Sequence, residues 1–80
     1  MHEFKLVADA LKSVLKIAEE NRAKKVRVVR LKVGENCHAR PEDVEFLFKQ
    51  AARGSVAEDA TLEITAIPGE ELILASVRVD

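Results

Sequence analysis

The amino-acid sequence predicts a two-layer α+β domain, with two helices packed on one face of a three-stranded sheet, in the order helix, strand, helix, strand, strand. Three observations predict it. Two segments repeat apolar residues at spacings of three and four, the period of a half-buried helix. Three shorter segments alternate apolar and polar residues, the period of a half-buried strand. The whole chain is 80 residues long, with 48% hydrophobic and 34% charged residues. That length suits a single domain over residues 1–80 and a single core, with roughly 60–65% of the unfolded surface removed from water.

The first helix is read over Phe4 to Asn21. Phe4, Val7, Leu11, Val14, Leu15 and Ala18 form its apolar stripe, widened by Leu6, Ala10 and Ile17. Asp9, Lys12, Lys16, Glu19 and Glu20 fill the polar side. Asn21 suits the left-handed conformation that ends a helix. Lys25 to Val33 reads as a strand, with Val29, Leu31 and Val33 alternating with Arg30 and Lys32. Val26 and Val28 fall on the opposite parity, which a bulge or a strand end covered on both faces accounts for. Gly34 to Arg40 is a loop.

Pro41 opens the second helix, where its missing N–H costs nothing, and Glu42 and Asp43 suit the positive end of the helix dipole. Val44, Leu47, Phe48 and Ala51 form its buried face, Phe46 flanks that face as a further core residue, and Gly54 is the stop. Ser55 to Ala60 connects to a strand at Thr61 to Ile67, in which Leu62, Ile64 and Ala66 share a face. Pro68-Gly69 is a turn. The last strand runs from Glu71 to Val79, and a bulge at Ala75-Ser76 brings Leu72, Leu74, Val77 and Val79 to one face. The last two strands are expected to pair as a hairpin.

The composition limits function. With 13 basic and 14 acidic residues interspersed, there is no basic field to attract phosphate, so nucleic acid is excluded as a partner. No apolar run approaches the roughly 20 residues that span a bilayer, and the first residues do not form a signal peptide. A single cysteine forms no internal disulfide and points to the cytoplasm. No nucleophile, base and orienting group stand together, and no Gly-rich phosphate loop is present, so the chain is read as a non-enzyme.

Met1-His2-Glu3, followed at once by an amphipathic helix, resembles the start of the HypA family of nickel-insertion accessory proteins. Further matches follow in order along the chain: Val26 to Glu35 with its Val-Gly-Glu ending, Pro41-Glu42 leading to Phe46 and Phe48, Ala52-Arg53-Gly54-Ser55 to Ile64, and Gly69-Glu70-Glu71-Leu72 to Val79. The resemblance implies a nickel metallochaperone domain serving hydrogenase, with urease as a further client. Its implied partners are a maturation GTPase and the hydrogenase large subunit. It implies Met1, His2 and Glu3 as the Ni(II) ligands. The family inserts a zinc-binding domain with two Cys-x-x-Cys pairs between the last two strands. That domain is absent here between about residues 67 and 70, and no zinc is expected, because a four-thiolate site needs four cysteines.

Chemistry supports the same N-terminal site. Histidine at position two blocks removal of Met1 and leaves its amine free. That amine, the His2 backbone nitrogen and the His2 ring close two adjacent chelate rings, and Glu3 supplies a fourth donor through its backbone nitrogen or carboxylate. Square-planar nitrogen sets of this kind suit Ni(II) and Cu(II). Cys37 and His38 form a weaker alternative metal pair, set against an exposed loop with no ligand. A second reading of the whole chain is a non-catalytic structural or dimerisation module, a zinc-domain deletion without full chaperone activity. The apolar last strand, with Ile73 and Ala75 on its outer face, invites homodimers by strand pairing or swapping.

Overall fold

The computed structural model describes residues 2–37 and 39–80, and for His2 and Glu3 the backbone alone. Helix α1 spans His2–Glu20, strand β1 Val26–Gly34, helix α2 Pro41–Ala51, strand β2 Thr61–Ile67 and strand β3 Leu72–Val79. This is the α-β-α-β-β order that the periodicities predict. The helices and β1 enclose the core. Val7, Ala10, Leu11, Val14 and Ala18 of α1 meet Val26, Val29, Leu31 and Val33 of β1 and Val44 and Phe48 of α2.

The sheet order is β2-β1-β3, with β2 parallel and β3 antiparallel to β1. The expected hairpin is therefore wrong: β2 and β3 are not neighbours but flank the central strand. The reason lies in the loop after β1 and in α2, which together are long enough to return the chain for a parallel pairing. Once β2 occupies one side of β1, β3 reaches the other by an arch, residues 68–71, over the end of β1. Three backbone bonds fasten the arch: Gly34 N–H to Glu71 O at 2.7 Å, Glu35 N–H to Ile67 O at 2.8 Å and Asn36 N–H to Gly69 O at 2.9 Å. A Cβ at Gly34 would overlap the Gly69 carbonyl, so only glycine lets the arch pass so close.

Both suggested bulges are present. The β1–β3 register shifts between Val26 and Val28, and again between Arg30 and Leu31, where Ala75 is the extra residue on β3. The first shift returns Val26 to the core face beside Val29. The second puts Leu72, Leu74, Val77 and Val79 on the side that packs against the core. On the opposite face, Arg30 of the central strand reaches both edges, donating to Glu63 at 2.8 Å and to Ser76 Oγ at 3.5 Å.

Several local expectations fail for identifiable reasons. Arg22 rather than Asn21 adopts the left-handed conformation, at φ 52°, while the Asn21 side chain donates to the Ile17 carbonyl at 2.7 Å. Phe4, in the first turn of α1, is 54% exposed although it stands on the same helical stripe as the buried Val7. Phe46 is 61% exposed. It stands two residues from both Val44 and Phe48, which puts it on the opposite side of α2 from those buried residues. Ala51 is exposed and Ala52 takes its place in the core. Gly54 lies beyond the helix end, in the following turn, at φ 82°.

Candidate metal centre

The start of α1 and Cys37 lie at one end of the domain because of how the chain enters the sheet. Residues 21–25 join α1 to β1, so α1 runs back along the sheet. Its last turn lies near the start of β1, where Val26 N–H bonds Val56 O at 2.9 Å. Its first half lies at the opposite end, where Leu6, Asp9, Ala10 and Ser13 line a shallow groove with Leu72 and Leu74 of β3. The same end holds the end of β1, the 34–40 loop, the start of α2 and the 68–71 arch.

The backbone of α1 is helical from His2. The first N–H groups of a helix have no partner within it. The His2 and Glu3 backbone nitrogens therefore lie outside the intrahelical ladder, and using them as donors costs no helical hydrogen bond. Met1 lies outside the described residues, as do the side chains of His2 and Glu3. Exposed acids stand on nearby elements, with Glu35 in the loop and Glu70 and Glu71 in the arch. Glu42 and Asp43 open α2 but are partly neutralised by Arg40, at 3.6 and 3.3 Å. The local excess of negative charge favours a cation over an anion, in a solvent-screened way.

Of the alternative pair Cys37 and His38, the structure describes Cys37 alone. Cys37 is only 4% exposed, so the exposed-loop expectation is corrected for it. The turn after Gly34 folds it inward, Cys37 N–H bonding Gly34 O at 3.1 Å. Its thiol contacts the Ala39 carbonyl at 3.7 Å and belongs to the hydrophobic core. A thiol in apolar surroundings is a small core residue before it is a ligand or a disulfide partner. His38 lies outside the described residues. Among the described residues, no three His, Cys, Asp or Glu side chains converge on a metal-sized site. No described helix is long and apolar enough to cross a membrane.

At the other end, Arg27 donates to Asp80, and this bond, more than the general positive field around it, holds the Asp80 carboxyl below the usual carboxylate range. Lys24 and Lys25 flank a polar cleft with Ser55, Glu58 and Asp59, a solvated surface in which acids offset the lysines. Sequence reasoning missed the exposed Phe4 and Phe46; for Phe46 the signal was its two-residue offset from Val44 and Phe48.

Comparison with known proteins joins these features to a family. A family model described as hydrogenase/urease nickel incorporation, metallochaperone, hypA matches residues 1–72. A hydrogenase maturation factor HypA of Archaeoglobus fulgidus is 43% identical over 65 residues, covering 81% of this chain and 59% of that protein. A hydrogenase maturation factor HypA of Rhizobium leguminosarum bv. viciae is 40% identical over 70 residues, covering 88% and 62%. The chain thus spans about 60% of the length of these relatives. The solution structure of the Ni metallochaperone HypA from Helicobacter pylori superposes with a TM-score of 0.72 at 19% identity, over 100% of this chain and 87% of that one. At that identity the likeness speaks for the fold.

Proposed function

The chain belongs to the HypA family, and on that premise we propose that it is a non-catalytic nickel metallochaperone domain that binds Ni(II) through its first three residues. One observation carries the reading: the family match begins at residue 1 and so includes Met1-His2-Glu3. Two others support it. The first amides of α1 are free of helical bonding, and acids stand on the elements around that end.

In this reading the Met1 amine, the His2 amide nitrogen and the His2 imidazole form three corners of a square-planar set, and Glu3 completes it. In this reading the ion is cargo rather than a structural part of the domain. Open coordination at a chain terminus suits transfer: the ligands are released one after another without unfolding anything. The recipients are a maturation GTPase and the large subunit of hydrogenase, in the cytoplasm, with urease as a further client. The resemblance implies a zinc-binding domain between the last two strands, where this chain has only residues 68–71. On this reading the chelating step needs no zinc.

Affinity falls in acid, because amine, imidazole and amide must all lose protons to bind. Cu(II) binds at least as tightly as Ni(II), as the general order of divalent affinities requires. Isothermal titration with Ni(II), comparing the native chain with His2→Ala, tests the proposal. Loss of the tight site in the variant supports it; equal affinities sink it.

A further inference from the structure

Strand β3 lies at an edge of the sheet, and its residue pattern is complementary to itself when run antiparallel. We propose that β3 pairs with β3 of a second copy about a twofold axis, making a continuous six-stranded sheet. This goes beyond the nickel reading and needs no metal.

The backbone sets the register. Glu71 O accepts from Gly34 N–H, and Asp80 N–H donates to Lys25 O, so the polar groups of both residues turn inward to β1. Successive residues of a strand alternate the direction of their polar groups. Leu72, next to Glu71, therefore turns its groups outward. Counting back from Asp80, so do Val79 and Val77. A hydrogen-bonded pair across the edge must then join outward residues of the two copies, and Leu72 opposite Val77 is such a pair.

That register satisfies every other constraint. It sets Ile73 opposite Ser76 and Glu71 opposite Arg78. Leu72 and Val77 both pack toward the core side, and Ile73 and Ser76 both lie on the outer face. Without the Ala75 bulge these partners would point to opposite faces; the extra residue brings them into agreement. The charges agree as well. Glu71 and Arg78 are both exposed, and the twofold places each against the other, twice. The contact also covers surface that the monomer leaves open. Leu72, Leu74, Val77 and Val79 are only partly buried although they pack on the core, and Ile73 is 38% exposed. The opposite edge offers less: its one charged residue, Glu63 in β2, already bonds Arg30.

The test is the oligomeric state of the whole chain, by light scattering and sedimentation across concentration, with chelator and reductant present throughout. The native chain is expected to dimerise reversibly. Arg78→Glu alone, or Glu71→Arg alone, sets like charges together at both ends of the contact and should weaken dimerisation by about tenfold or more. The double reversal, Glu71→Arg with Arg78→Glu, restores the complementarity and should recover the native constant to within about threefold. Thr65→Arg on β2 should change nothing. Amide exchange should slow at Leu72 and Val77 as the dimer fills. A monomer at all concentrations overturns the proposal. So does a dimer indifferent to the single reversals, a double variant no better than the singles, or a dimer lost on Thr65→Arg.

Discussion

The two ends of the sheet are held by different physics. Where β1 begins, side chains share the work: Arg27 grips Asp80, while Asp80 N–H bonds Lys25 O and Val26 N–H bonds Val56 O. Where β1 ends, the bonds among the described residues are backbone ones, from Gly34, Glu35 and Asn36 to Glu71, Ile67 and Gly69. The second end is also where α1 starts. Under the proposed reading, a chelate on the first residues of that helix would draw on none of these backbone bonds. On that reading metal binding at this end and stability are separable, and substitutions should show it.

The largest loss belongs to neither end. Phe48 is fully buried between the ends, and Phe48→Ala should cost about 3–5 kcal/mol in denaturant unfolding. This sets the scale for the rest. Gly34→Ala comes next, at about 3 kcal/mol, because its methyl meets backbone rather than a yielding side chain. If Gly34→Ala is harmless, the arch is not what closes that end. The Arg27–Asp80 pair at the first end should matter less, being exposed. The Asp80 carboxyl is depressed chiefly by the bond from Arg27. A group so depressed adds stability above its unfolded pKa and loses it as pH falls through its folded one. Asp80→Asn should therefore lower stability slightly at neutral pH, leave it unchanged in acid, and so flatten the acid limb of the stability–pH profile. Smallest of all, His2→Ala and Phe46→Ala should each shift stability by no more than about 0.5 kcal/mol. A large loss at His2 would join the two properties that this account separates.

Much of the fold is legible in the residue spacing. Every element is found within two residues of its ends, since the stripes of α1 and α2 and the alternation of β1 and β2 are set by burial on one side. Even the Ala75 bulge can be read from the parity of Leu72 and Leu74 against Val77 and Val79. Strand order is not legible in this way. Pro68-Gly69 signals a turn but not what the turn crosses, and the decisive residue, Gly34, lies far from it in sequence. Cys37 looks like loop and is core, because a turn at Gly34 faces it inward, a tertiary effect without a local signal. The candidate site divides similarly. Met1-His2-Glu3 can be picked out by chemistry and by resemblance, yet the decisive donor of the proposed site would be a terminal amine, which is not a side chain at all.

That amine allows the most direct test. Ni(II) affinity should be measured by calorimetry for the chain beginning at Met1 and for the same chain with one glycine placed before it. The extension leaves every side chain in place and removes only the Met1 amine from the chelate. A loss of affinity of more than about tenfold is expected, with no change in unfolding. Equal affinity for the two chains would contradict it and place the ion elsewhere.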